Sequence, residues 1–124
     1  AVHDARVNVK MNKIQNVDIY SNDAGRFMVD VAEEGDSIDV VFMDPPRSGS
    51  TEEFMSSVIT LGPKRVVYIS CGPESLARDL KYMTKHGYQV IRMTPVDMFP
   101  LTRGVETVVL LTRAGAGQHG YKTK

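Results

Sequence analysis

The chain has 124 residues, 42% hydrophobic and 24% charged, a composition typical of one globular domain or part of one. Fifteen basic residues balance fifteen acidic ones. A protein that binds nucleic acid unaided usually carries a basic excess, so most of any phosphate contact is expected outside this chain. No apolar run approaches the roughly 20 residues that span a membrane. The single cysteine excludes an internal disulfide and suits a reducing cytoplasm. With only three scattered histidines beside it, we expect no zinc site.

The first half of the sequence alternates between predicted helices and strands. Residues 1–12 have the pattern of an amphipathic helix that lacks a start signal, and residues 17–21 (VDIYS) predict a short strand. A short helix is expected within residues 25–34. Residues 38–43 (IDVVFM) are almost wholly apolar and rich in β-branched side chains, which predicts a strand buried on both faces.

The second half continues this alternation. Thr51 caps a predicted helix that Gly62 ends, and a second buried strand follows at residues 65–70. The next helix has a regularly spaced apolar face, which consists of Leu76, Ala77, Leu80 and Met83. Two further strands are predicted at residues 88–93 and 105–112, joined by an irregular segment. Strands alternating with helices predict a parallel α/β sheet, and the last strand, which no helix precedes, is expected to run antiparallel.

Two of the predicted strands lead directly into loops that carry reactive or charged side chains. Asp44, Pro45, Pro46 and Arg47 follow the first of these strands, and Cys71 follows the second. Ligand sites in open α/β sheets form at the carboxyl ends of the strands. We therefore expect a functional site where these two loops meet.

Cys71 has two interpretations. A free cysteine is most often a small buried hydrophobic residue. However, Cys71 lies between a strand and a helix start, where unpaired backbone amides favour the nucleophilic thiolate. Its position alone leaves both interpretations open.

The charged candidates are equally ambiguous when each is taken alone. Asp44 lies on a stiff loop that offers few backbone donors, so it suits a binding site, but it could also cap the following turn. Arg47 suits either a phosphate or solvent. Glu106 begins an apolar strand, where surface exposure is the simpler interpretation. For Asp97 and Thr102, in the preceding loop, the sequence favours neither a functional nor a solvent-exposed role.

Three ordered motifs resolve part of this ambiguity. DPPRSG (residues 44–49), VVYISCGPESLARDL (66–80) and GYQVIRMTPVDMFPLTRGVETVVLL (87–111) resemble the 23S rRNA and tRNA uracil-5-methyltransferases. These enzymes are a branch of the class I S-adenosylmethionine-dependent fold. The similarity runs from about Ala1 to Leu111. It implies that residues 1–113 are the C-terminal portion of the methyltransferase domain. Residues 114–124 are rich in glycine and polar side chains, which predicts a flexible tail.

The resemblance also implies roles for particular residues. Cys71 is expected to be the nucleophile and Glu106 the general base, while Asp44 and Asp23 belong to the S-adenosylmethionine site. The implied reaction methylates carbon 5 of a uridine in RNA, with 23S rRNA favoured over tRNA, through a covalent cysteine adduct. Two positions depart from the family pattern. Gly72 stands where asparagine is common, and Gly104 stands where histidine is frequent.

The same resemblance implies that the fold is incomplete. The family's strand order is 3-2-1-4-5-7-6, and the glycine-rich cofactor loop that follows strand 1 has no counterpart in this sequence. We therefore expect a Rossmann-like sheet without its first two strands, inactive as an isolated chain. The bared edge of the strand at residues 38–43 is expected to pair with residues 17–21 or with another chain, giving a possible dimer. A class I methyltransferase with another target, or a non-catalytic Rossmann-like module, are the alternatives.

Overall fold

A computed structural model of the chain describes residues 1–97 and 104–114. The described residues do not include residues 98–103 of the third motif, Thr102 among them, or the predicted tail after Ala114. The described residues form four helices and four strands. In chain order they are α1 (Val2–Met11), α2 (Ala24–Glu34), β1 (Val40–Met43), α3 (Glu52–Leu61), β2 (Arg65–Ser70), α4 (Pro73–Lys85), β3 (Tyr88–Val96) and β4 (Glu106–Arg113).

The strands form one open sheet in the order β1-β2-β4-β3. β1 and β2 are parallel, whereas β4 lies between β2 and β3 and runs antiparallel to both. This arrangement confirms the α/β sheet and its antiparallel last strand. β1, β2, β4 and β3 correspond to strands 4, 5, 7 and 6 of the family order, so the order implied for these strands is confirmed.

Local signals define the helix ends as the sequence predicts. The Phe54 backbone N–H donates to the Thr51 hydroxyl at 3.1 Å, and Gly62 ends α3 in the left-handed conformation. Pro73 occupies the first turn of α4, where its missing N–H costs no hydrogen bond. Within residues 1–97 and 104–114, no helix is long and apolar enough to cross a bilayer.

The core lies between the sheet and helices α2, α3 and α4. The buried apolar side chains are Met28, Val41, Met43, Met55, Val58, Val66, Tyr68, Leu76, Met83, Tyr88, Val109 and Leu111. Leu76 and Met83 thus confirm part of the predicted inner face of α4. Ala77 was wrongly placed on that face and is exposed, while Asp79 is fully buried there.

The prediction that β1 is buried on both faces is wrong. Val41 and Met43 face the core, but the Phe42 side chain between them is 72% exposed. Alternate residues of a strand point to opposite faces, and in the described residues nothing covers the second face. The apolar sequence of β1 therefore indicates a covering surface that these residues do not provide.

Residues 17–21 were predicted as a strand and form none. Val17 and Tyr20 are exposed, and the Tyr20 ring packs against Phe27 at a centroid distance of 4.8 Å. A strand needs a neighbour to accept its backbone hydrogen bonds, and the outer edge of β1 does not recruit this segment. The expected pairing of residues 17–21 with that edge is therefore wrong.

Candidate active site at the carboxyl ends of the strands

Cys71 lies in a tight turn between β2 and α4. The Ser70 hydroxyl accepts a hydrogen bond from the Gly72 N–H at 3.1 Å and donates to the Gly72 carbonyl at 3.0 Å. Gly72 is the N-cap of α4 and supplies no side-chain cap. The half-buried thiol thus precedes the amide-rich end of a 13-residue helix, as the sequence predicts.

A cavity of about 810 Å³ borders Cys71. Its wall combines hydroxyl, carboxylate and guanidinium groups from the loop after β1 and from α4. The polar and charged members are Arg47, Ser48, Glu74, Ser75 and Arg78. Sequence analysis left Arg47 open between a phosphate and solvent, and it did not single out Ser48, Glu74, Ser75 or Arg78.

Glu106 lies at the same end of the sheet as Cys71. Ser70 and Thr107 are paired across β2 and β4, so Cys71 and Glu106 each lie one residue beyond this pair. Glu106 is half-buried and is paired on its other side with Val96 of β3. Gly104, two residues earlier, lines the Cys71 cavity, although Glu106 itself does not.

Asp23 and Asp44 share a second cavity of about 620 Å³. The Phe42 and Phe54 rings also line it. Asp23 has a structural role as well, since its carboxylate accepts the Arg26 backbone N–H at 3.1 Å and caps α2. Ser48 borders both this cavity and that of Cys71, so the loop of residues 44–50 separates the two.

A buried hydrogen-bond network joins this loop to α4. The Asp79 carboxylate, with 0% exposure, accepts from the Ser50 N–H at 2.7 Å and from the Tyr68 hydroxyl at 2.5 Å. Arg78 contacts the other Asp79 oxygen at 3.1 Å and donates to the Ser48 carbonyl at 2.7 Å. Burial, and then the hydrogen bond to Asp79, raise the pKa of Tyr68 far above its usual value, so this hydroxyl stays a donor.

Sequence analysis missed this network, although one signal was present. Asp79 lies three residues after Leu76 and four before Met83, which places a carboxylate on the apolar face of α4. A charged group at such a position strongly destabilises the fold unless it has buried hydrogen-bond or ion-pair partners. Its partners come from the loop after β1 and from β2, which helical spacing alone does not reveal.

Two glycines allow the loop and α4 to approach closely. A Cβ atom on Gly72 would lie 2.7 Å from the Arg47 carbonyl oxygen, which leaves no room for the asparagine common at this position in the family. Gly49 has a positive φ of 86°, and a Cβ there would lie 2.7 Å from the Asp79 Oδ2 atom. The glycine at position 72 therefore matches the local packing of this chain.

We expect Gly49→Ala to lower the free energy of unfolding much more than Gly35→Ala. Gly35 also has a positive φ but nothing lies within 4 Å of a Cβ there, so its replacement costs only the roughly 1–2 kcal/mol of a left-handed alanine. Gly49→Ala adds the opening of buried hydrogen bonds to Asp79, worth at least about 1–3 kcal/mol. Urea denaturation of both variants measures the difference, and equal losses would contradict the close packing of the loop.

The sheet has an antiparallel strand beside two parallel strands, and a candidate site lies at the strand ends. These features define a Rossmann-like methyltransferase fold. A crystal structure of the Pyrococcus abyssi tRNA (uracil-54, C5)-methyltransferase in complex with S-adenosyl-L-homocysteine superimposes with a TM-score of 0.73 at 30% sequence identity, over 90% of this chain and 26% of that one. The chain is also 42% identical to an uncharacterized RNA methyltransferase of Caldanaerobacter subterraneus and 44% identical to one of Lactobacillus johnsonii, in each case over 91% of its own length.

The family model for tRNA (uracil-5-)-methyltransferase matches residues 1–114. The chain therefore belongs to the tRNA (uracil-5-)-methyltransferase family. It spans about a quarter of the length of the curated relatives that it matches.

Proposed function

We propose that this chain carries the nucleophile and the general base of an enzyme that methylates carbon 5 of a uridine in RNA. The observation that carries the proposal is the register of β2 and β4. Cys71 and Glu106 each follow the paired residues Ser70 and Thr107 at one end of the sheet. A thiol and a carboxylate at adjoining strand ends, beside a cavity that borders the thiol, supply the two groups this reaction needs.

The chemistry of uracil explains both groups. Carbon 5 of the ring is too weak a nucleophile to accept a methyl group directly. Addition of the Cys71 thiolate to carbon 6 converts the ring to an enolate, whose carbon 5 is nucleophilic. After methylation, Glu106 removes the proton from carbon 5, and the electrons of that bond expel the thiolate. A base in folded RNA must leave its stack to reach such a cavity.

The cavity lined by Asp23 and Asp44 fits part of S-adenosylmethionine. Carboxylates can accept hydrogen bonds from the adenine amine, the ribose hydroxyls and the amino group of this cofactor. The Phe42 and Phe54 rings offer an apolar surface for the adenine. When bound, S-adenosylmethionine supplies an electrophilic methyl group. The sequence contributes no glycine-rich loop beside this cavity, so the isolated chain is proposed to bind the cofactor weakly and to be inactive alone.

Asp23→Asn should separate cofactor binding from helix capping. Asparagine caps a helix about as well as aspartate, so the thermal midpoint should stay unchanged. Loss of the negative charge should weaken S-adenosylhomocysteine binding to the full-length protein about tenfold, or ~1.4 kcal/mol, in calorimetric titration. Asp30→Asn, which removes an exposed carboxylate from the same helix, is the matched control. Equal affinities for both variants would leave Asp23 as a cap only.

RNA is the proposed substrate, with 23S rRNA favoured over tRNA and the cytoplasm as the proposed compartment. The zero net charge of the chain supports the proposal that other parts of the full-length protein make most of the phosphate contacts. The unpaired edge of β1 makes a dimer of the isolated chain a further proposal, which sedimentation at several concentrations tests.

The proposed function is tested with the full-length protein and S-adenosylmethionine labelled in its methyl group. Transcripts of 23S rRNA and of tRNA are incubated separately and digested to nucleosides. We expect labelled 5-methyluridine from the rRNA. Label in tRNA alone would reverse the choice of substrate, and label on a nitrogen or on ribose would support a methyltransferase with another target. An inactive full-length protein would support the non-catalytic module.

A further inference from the structure

The buried Asp79 carboxylate has partners in a loop, in a strand and in its own helix, and the reaction described above does not use it. It lies on the inner face of α4, eight residues after Cys71. Three hydrogen bonds converge on it from three parts of the chain, donated by the Ser50 N–H, the Tyr68 hydroxyl and the Arg78 Nε. The Arg78 Nη2 also forms an ion pair with the same carboxylate at 3.1 Å. A fully buried charge is costly unless donors of this kind compensate it, so its position is closely specified.

The network fixes the loop of residues 44–50 at several points. Asp79 holds the Ser50 N–H, and Arg78 holds the Ser48 carbonyl. At the start of the same helix, the Ser75 hydroxyl donates to the Arg47 carbonyl at 2.7 Å. Successive positions of the loop are therefore tied to successive turns of the helix that follows Cys71.

This loop borders both cavities of the candidate site. Asp44 and Ser48 line the proposed cofactor cavity, while Arg47 and Ser48 line the cavity of Cys71. A shift of the loop relative to α4 would therefore change the distance between the two bound substrates. Reactions of this kind are sensitive to such shifts, because a misplacement of about 1 Å can reduce a rate roughly 100-fold.

We propose that Asp79 is a positioning residue for methyl transfer, holding the loop of residues 44–50 in register with the helix that carries Cys71. Tyr68 acts with it, since its hydroxyl connects the carboxylate to the middle of β2. Asp79 touches neither reacting atom. The inference rests on the proposed function, but the tie between loop and helix does not depend on it.

The hydrogen-bond pattern requires a carboxylate rather than an amide. One Asp79 oxygen accepts from Ser50 and Tyr68, and the other accepts from Arg78. Asparagine has one acceptor oxygen and one NH₂ donor, so it can satisfy only one side and must direct its NH₂ toward a donor on the other. Asp79→Asn therefore releases either the Ser50 side or the Arg78 side of the loop while keeping the volume of the side chain.

Two tyrosines provide a matched pair of milder variants. Tyr68→Phe removes the hydroxyl bonded to Asp79, whereas Tyr88→Phe removes a buried hydroxyl that donates to the Pro63 carbonyl at 2.7 Å. Tyr88 starts β3 at the far end of the sheet from Cys71. Both changes delete one buried hydrogen bond, but only the first touches the network.

The experiment compares Asp79→Asn, Tyr68→Phe and Tyr88→Phe in the full-length protein at a temperature where all are folded. Hydrogen–deuterium exchange is measured for residues 44–51, and kcat and KM are measured for RNA methylation. We expect faster exchange in this loop and a kcat reduced roughly 10–100-fold for Asp79→Asn. Tyr68→Phe should show a smaller change in the same direction, and Tyr88→Phe should alter neither loop exchange nor kcat despite a comparable loss of thermal stability.

The outcomes separate this proposal from the proposed function. Unchanged exchange in Asp79→Asn would overturn the tie between loop and helix, whatever the activity. Faster exchange with unchanged kcat would overturn the positioning role, as would an equal loss of kcat in Tyr88→Phe. A wild-type protein that produces no 5-methyluridine would overturn the proposed function, and with it the positioning role, while the exchange data would still decide the tie.

Discussion

Cys71→Ala is expected to abolish uridine methylation by the full-length protein, lowering kcat by at least about 10³-fold. Without the thiolate, carbon 6 is not attacked and carbon 5 never becomes nucleophilic, so no other group of the site compensates. The thiol is half-buried and outside the core, so the fold should be retained. Methyl incorporation into RNA measures the loss, with thermal denaturation as a check on folding.

The contrary result has a clear meaning. Methylation of an amine needs no thiol, so a Cys71→Ala variant with near wild-type activity would indicate a methyltransferase with another target. S-adenosylhomocysteine binding provides a second check, because Cys71 does not line the cavity of Asp23 and Asp44. Affinity for that ligand should stay unchanged in the variant.

Glu106→Gln is expected to stop the reaction after methyl transfer rather than before it. The amide cannot take the proton from carbon 5, so the thiolate is not expelled and the methylated base stays bound to Cys71. Loss of a general base reduces turnover by about 10²–10⁴-fold. A covalent complex between the variant and RNA containing ordinary uridine should accumulate and survive denaturing electrophoresis.

Glu74→Gln is the matched control for this variant. Glu74 places a carboxylate on the wall of the Cys71 cavity, in the first turn of α4. A Glu74→Gln variant should turn over at close to the wild-type rate without accumulating a complex. Accumulation in Glu74→Gln and normal turnover in Glu106→Gln would transfer the role of base to Glu74.

The regular elements were predictable because their signals are local. The Thr51 cap, the Gly62 stop and the apolar run of β2 each depend on neighbours within a few residues, and all were confirmed. The predicted strand at residues 17–21 is wrong because a strand depends on a partner that is distant in sequence. The prediction that Phe42 is buried failed for the same reason. Burial of the second face of β1 requires a covering surface that the described residues do not supply.

The candidate site was predictable to a lesser extent. Strand ends identified Cys71 and Asp44 as candidates, while the resemblance favoured a functional role for Glu106 and added Asp23. The roles of these four residues stay predictions. The Asp79 network was missed, because a polar residue on an apolar helix face reveals that partners must exist but not which loop supplies them. Only the fold brings the loop after β1 against α4.

A covalent complex between the full-length protein and RNA containing 5-fluorouridine tests the role of Cys71 most directly. Fluorine at carbon 5 cannot be removed as a proton, so the thiol adduct should persist after methyl transfer. We predict a denaturation-resistant complex that depends on S-adenosylmethionine, with the modified peptide containing Cys71. Absence of a complex from an active protein, or an adduct on another residue, would contradict the assignment of Cys71 as the nucleophile.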